Sequence, residues 1–218
     1  MKKIISLTLF LFFIKIITAQ TPYLNVTPQQ AKSGETIRFE YTLAGSPLEK
    51  TQDAIDIVAV EFIADQPQTI PVLHRRSGGK ITGQFTLSAD AKVGMIAFQS
   101  GERWDNNKGE GYFIPLHGAD GKALPQSLAA QAVVYRNWGS LYELNRKATV
   151  AYEMFNKAFA QNAAILPEFC SAYVSCITSA KRGEEGQTEA LAVLNKVLEM
   201  PKLTENQKID IAGLLDRL

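Results

Sequence analysis

The stretch 128–162 divides this chain into two parts that follow different hydrophobic periods. Within it, Tyr152, Phe155 and Phe159 recur at helical spacing, and Ala148 and Ala151 extend the same stripe. Upstream of this stretch, short runs of apolar residues are separated by turn residues. We therefore expect a β-rich part followed by a helical part, with the aromatic stripe buried against neighbouring helices.

The first 20 residues have the layout of a secretory signal peptide. Lys2 and Lys3 precede an apolar run at 4–14, and Ala19 suits the last position of a leader. The apolar run is too short to span a bilayer comfortably. The exact cleavage site stays open, because Ile17 is bulky for a position two residues before the end of a leader. We expect an exported protein, periplasmic or secreted, with no stable membrane anchor after cleavage. A buried N-terminal helix or an uncleaved anchor is the alternative.

Composition and charge describe an ordinary folded protein. The 218 residues are 46% apolar and 21% charged, which argues against disorder. Without the three lysines of the leader, the 23 basic residues fall to 20 against 22 acidic ones, a net charge of −2. This balance gives no electrostatic reason to expect nucleic acid as a partner.

The segment 21–121 predicts an immunoglobulin-like β-sandwich, and a fibronectin-type arrangement fits equally well. Gly78 and Gly79 favour a hairpin turn within 75–80 because glycine accepts positive φ. This part has no cysteine, which excludes an antibody-type disulfide. The seven predicted strands are 23–26, 37–43, 54–64, 69–74, 81–87, 93–99 and 112–117.

The segment 122–218 predicts five antiparallel helices, resembling a helical repeat but without the diagnostic residues of tetratricopeptide arrays. Each helix has a start signal in the sequence. These signals are Pro125, Asn145, Pro167, Thr188 and the capping box of Thr204 with Gln207.

Cys170 and Cys176 are the only cysteines. Six residues apart on one helix, they point about 120° from each other and lie roughly 9 Å apart along the axis. A disulfide needs Cα atoms within about 7 Å, so we expect two buried thiols, with an intermolecular disulfide as the alternative.

The segment 105–111 (DNNKGEG) is the most polar one. Asp105 and Asn107 are weak candidate metal ligands, because carboxylate and amide oxygens near glycines suit Ca²⁺. The spacing lacks the ligand series of an EF-hand, so a hairpin loop is the preferred interpretation. Trp104 and Tyr112, which flank the segment, could form a surface for a protein or glycan partner.

No catalytic or cofactor-binding constellation is visible in the sequence. His74 and His117 have no local metal-ligand companion, and no serine lies in a Gly-x-Ser-x-Gly turn. We therefore predict a protein that is not an enzyme and binds no cofactor.

The predicted strands and four segments from residue 105 onward carry a resemblance to a known family. These segments are DNNKGEGY at 105–112, PLHGADGKALP at 115–125, SLAAQAVVYRNWG at 127–139 and KATVAYEMFNKAFAQN at 147–162. Together with 188–218, the chain resembles the N-terminal region of exported bacterial thioredoxin-like proteins of the disulfide-reductase family. In those proteins a sandwich and helices precede a redox domain. This chain has no CxxC motif, so no catalytic residue carries over.

These features favour an exported interaction or accessory module with a protein partner in the cell envelope. One alternative is a disulfide reductase truncated before its redox domain, which an open reading frame with CxxC downstream would indicate. Another is a glycan- or ligand-binding sandwich that uses Trp104 and Tyr112.

Overall fold

A computed structural model describes residues 23–63, 65–145 and 147–218. Within these ranges lie two antiparallel sheets, with nine strands in total, and five α-helices, which confirms the predicted α+β class. The predicted signal peptide at 1–20 lies outside the described residues.

The first sheet contains four strands in the order β1-β2-β6-β5. The second has the order β4-β3-β7-β8, and β9 also pairs with β7. The strands are β1 Leu24–Thr27, β2 Thr36–Thr42, β3 Asp56–Ile63, β4 Gln66–Ile70, β5 Leu73–Ser77, β6 Lys80–Thr86, β7 Val93–Ser100, β8 Arg103–Asp105 and β9 Tyr112–Pro115.

The central strands of the second sheet, β3 and β7, are buried on both faces, which explains their nearly continuous apolar sequences. Successive side chains of a strand point to opposite faces. Ala59 and Phe98 thus join a core that they share with the first sheet, whereas Val60, Phe62 and Met95 join a core shared with the helices. The β-rich and helical parts are therefore joined by a common hydrophobic core.

The strand predicted at 69–74 was wrong. The structure divides this region into β4 and β5, which lie in different sheets on either side of Pro71. Proline lacks the N–H that a sheet ladder requires, so it suits this crossing between sheets. The sequence reasoning also missed β8, whose three residues are too few to show an alternating pattern.

The helices are α1 Pro125–Val133, α2 Ala148–Gln161, α3 Leu166–Ala180, α4 Glu184–Leu198 and α5 Glu205–Leu215. A π-helical turn, Val134–Trp138, and a 3-10 turn, Gly139–Tyr142, continue α1 toward the next helix. The aromatic stripe of α2 packs against the helical core as predicted, although only its centre is fully enclosed. Phe155 is buried against Phe169 and Tyr173 of α3, whereas Tyr152 and Phe159 are half-buried.

Two of the predicted helix caps were wrong. Lys147, not Asn145, precedes α2, and the Asn145 side chain bonds to another loop. Thr188 lies inside α4, which begins after Gly183, because acidic Glu184 and Glu185 suit the first turn of a helix. The capping box of Thr204 with Gln207 is confirmed by both of its hydrogen bonds.

Helix α3 is the most apolar part of the helical region. Among the described residues, Ala163–Ala180 is the one helical stretch long and apolar enough to cross a membrane. Much of that stretch packs in the core, which accounts for its composition.

Cys170 and Cys176 lie on this unbroken helix as two buried free thiols, as predicted.

Candidate functional site

Residues 105–111, here called the junction loop, connect β8 to β9 and lie between the sheets and the helices. At its start, the Asp105 carboxylate is only 2% exposed. It accepts hydrogen bonds from the hydroxyls of Tyr41 at 2.5 Å and Tyr112 at 2.9 Å. Burial, together with the bond to Asp105, raises the pKa of the Tyr41 hydroxyl above its ordinary range. Asp105 thus joins both sheets to the junction loop.

Asn107, the other candidate metal ligand, makes its hydrogen bonds to other residues of the junction loop. Its backbone N–H donates to Asp105 Oδ1 at 3.2 Å, and its side-chain amide donates to the Gly111 carbonyl at 3.3 Å. Across the described part of the chain, no three His, Cys, Asp or Glu side chains gather closely enough to hold a metal ion. The polar groups of Asp105 and Asn107 support the loop conformation.

Asn106, which the sequence reasoning did not single out, attaches the junction loop to the helical part. Its buried amide donates to the carbonyls of Tyr142 at 2.8 Å and Glu143 at 2.9 Å. Its side-chain oxygen accepts from the Gly109 N–H at 2.8 Å. No local pattern distinguishes Asn106 from Asn107, because its two partner carbonyls lie more than 30 positions further along the chain.

Asn145 makes the opposite connection, from the helical part back to the junction loop. Its side-chain amide donates to the Lys108 carbonyl at 3.1 Å and to Glu110 Oε1 at 3.3 Å, and its N–H donates to the Gly109 carbonyl at 2.8 Å. The Tyr135 hydroxyl also donates to the Glu110 carbonyl, at 2.5 Å. Burial, followed by the nearby Glu110 charge, raises the pKa of Tyr135 to about 12.

Close packing at this contact requires glycine in the loop. Gly109 has a φ of +84°, and a Cβ atom there would come within 2.6 Å of Asn145 Nδ2. Positive φ is uncommon for residues with a side chain. The junction loop is therefore shaped for contact with the helical part of the same chain.

The two aromatic residues predicted to form a partner surface differ in accessibility. Tyr112 is 5% exposed, and its hydroxyl is bonded to Asp105, so its side chain offers little surface to a partner. Trp104, on β8, is half-buried and keeps part of its surface accessible. The two histidines lie on separate elements: His74 is on β5, and His117 pairs with Ala123 in an isolated bridge.

The most exposed strand of the described chain is β5, at one edge of the first sheet. All five of its residues are exposed, and Leu73 is 71% exposed. Beside it lies an open depression of about 500 Å³ lined in part by Arg38, Arg75 and Gln84. A second cavity, of about 710 Å³, lies beside the connection from β9 to α1, where Lys122 and Lys157 contribute to its lining.

Comparisons of the chain with models of protein families, with curated proteins and with solved structures found no match. The resemblance to thioredoxin-like proteins therefore stays a prediction. Function is therefore inferred from the accessible surface of the described residues, above all from β5.

Proposed function

We propose that the chain is an exported, non-catalytic interaction module that binds a protein partner in the cell envelope. In this proposal an immunoglobulin-like sandwich carries a helical-repeat-like part. The stacking of Tyr41 on Phe98 across the two sheets, with ring centroids 3.8 Å apart, supports the sandwich. Packing of successive helices, α1 on α2, α2 on α3 and α3 on α4, supports the helical arrangement.

The β5 edge of the first sheet carries this proposal, because β5 is more exposed than β1 at the opposite edge. Among the described strands, β5 pairs only with β6, and Leu73 exposes most of its apolar side chain at this edge. Unpaired strand edges are common sites for protein association, because their backbone groups can pair with a segment of another chain. The basic start and apolar run of the leader support export of this module.

Site-specific photo-crosslinking in cells tests the proposal. A photoreactive residue at His74, on β5, is expected to give a defined adduct with one envelope protein. The matched control places the same residue at Arg182, which is exposed in the helical part. The absence of an adduct at His74, or the same adducts at both positions, would count against an interaction module that uses this edge.

A further inference from the structure

We propose that β5 binds an extended acidic segment of the partner, which adds to the first sheet as a further strand. This inference rests on the proposed interaction function and specifies its ligand. The site consists of the edge of β5 and the adjoining depression, and its ligand class is a peptide rich in Asp or Glu.

The sheet register places apolar and basic side chains together on one face. Leu73 lies opposite Gln84 of β6, and Gln84 lies opposite Arg38 of β2. Arg75 lies opposite Thr82 and donates to its hydroxyl at 3.3 Å. Directly opposite residues project to the same face of a sheet. Leu73, Arg75 and Arg38 therefore surround one depression of about 500 Å³.

The positive charge at this edge is not neutralised within the described residues. Neither Arg38 nor Arg75 nor Arg76 forms an ion pair there, whereas nearby Lys80 is paired with Glu40 at 2.7 Å. All three arginines are exposed. An acidic ligand would gain charge-assisted hydrogen bonds from guanidinium groups, which match carboxylates in geometry.

The backbone of β5 is expected to bind the acidic peptide in addition to the arginine side chains. Strand β6 occupies one side of β5, and no strand of the described chain pairs with the other side. In an antiparallel ladder, alternate residues direct their N–H and C=O groups away from the existing neighbour. An extended peptide can satisfy these groups, and its own alternating side chains would then reach Leu73 and Arg75.

Charge also distinguishes an acidic partner from a second copy of this chain. If two β5 strands paired antiparallel about their centre, Arg75 would face Arg75 of the other copy. Like charges directly opposite each other destabilise a sheet. The same side chains that disfavour self-association through this edge would therefore favour a segment of opposite charge.

A synthetic peptide of alternating Glu and Val, acetylated and amidated, tests the site with the mature chain. Binding is measured by fluorescence anisotropy, and hydrogen exchange follows the β5 amides. We expect protection of these amides, and we expect Arg75→Glu with Arg76→Glu to weaken binding about tenfold or more. The control Arg182→Glu, at an exposed position in the helical part, is expected to bind as wild type.

Two further probes separate strand addition from simple charge attraction. The same peptide with alternate backbone nitrogens methylated should lose binding, because it cannot complete the ladder. Equal binding of the methylated peptide, or tighter binding to phosphatidylglycerol vesicles than to the peptide, would overturn the inference.

The failure of this inference is distinguishable from failure of the proposed function. If Arg75→Glu with Arg76→Glu still gives the wild-type crosslink in cells, the acidic-strand site is wrong but the chain remains an interaction module. If the wild-type chain gives no crosslink at all, the broader proposal fails.

Discussion

The Tyr41 hydroxyl donates a 2.5 Å hydrogen bond to the Asp105 carboxylate across the interface between the two sheets. Tyr41 lies on β2 of the first sheet, and its ring stacks on Phe98 of the second. The same carboxylate accepts a hydrogen bond from Tyr112 of β9. Asp105, a candidate metal ligand, thus connects the two sheets at the start of the junction loop.

Replacing Asp105 with alanine should destabilise the fold strongly. The substitution leaves two buried tyrosine hydroxyls without their shared acceptor, and each such loss costs about 1–3 kcal/mol. We expect a decrease of roughly 2–4 kcal/mol in the free energy of unfolding, measured by urea denaturation. Asp53→Ala is the control, since Asp53 is exposed. Equal stability of the two variants would show that the buried carboxylate contributes little.

Gly109→Ala and Gly34→Ala form a matched pair that separates backbone strain from crowding. The two glycines have φ values of +84° and +80°, but only Gly109 lies against another side chain. Alanine at positive φ costs about 1–2 kcal/mol at either position. We expect Gly109→Ala to cost a further 1–3 kcal/mol or so, because its Cβ would crowd Asn145. Thermal or urea unfolding measures the difference.

A double-mutant cycle then attributes that extra cost to Asn145. In the Asn145→Ala background, the side chain that crowds position 109 is absent. Gly109→Ala should there cost about as much as Gly34→Ala does in the wild type. An undiminished cost in this background would assign the effect to the backbone of the junction loop.

Stability should decrease at alkaline pH because of the two buried thiols. Burial raises the pKa of Cys170 and Cys176 to about 11 from an ordinary value of 9.0. The unfolded chain loses these protons first, so the free energy of unfolding is retained below pH 9 and decreases toward pH 11. Each thiol contributes a slope of about 1.4 kcal/mol per pH unit within that window.

Urea denaturation at several pH values tests this slope. Replacement of both cysteines with alanine should flatten it between pH 9 and 10. Burial also raises the pKa of four tyrosines above their ordinary value of 10.0, so a decrease remains above pH 10; they are Tyr41, Tyr135, Tyr142 and Tyr173. An unchanged slope in the double variant would assign the alkaline decrease to other groups.

In the native protein, both thiols should also react slowly with thiol reagents near neutral pH.

If residues 1–20 form the proposed signal peptide, export should depend on its basic start. Lys2→Glu with Lys3→Glu is expected to retain the precursor in the cytoplasm, because positive charge precedes the apolar run in a signal peptide. Lys32→Glu with Lys50→Glu, at exposed positions after the leader, is the charge-matched control. Cell fractionation and mass spectrometry of the N-terminus measure the result. Equal export of both variants would contradict the signal-peptide interpretation.

Local periodicity was sufficient to predict the change from strands to helices along the chain, the burial of Phe155 and the capping box at Thr204. Each of these depends on residues a few positions apart, where helix and strand geometry alone brings side chains together. The burial of Cys170 and Cys176 followed from the same geometry. In this protein, the sequence by itself therefore determined the α+β class and much of the helical core.

Tertiary structure decided the role of the junction loop. The sequence favours a hairpin loop here and makes Asp105 and Asn107 weak candidate metal ligands, but it does not indicate that Tyr41, 64 positions away, donates to Asp105. Asn145 was expected to cap α2, yet it bonds to the loop 37 positions upstream. Such partners are brought together by the packing of sheets and helices, which a local pattern does not encode.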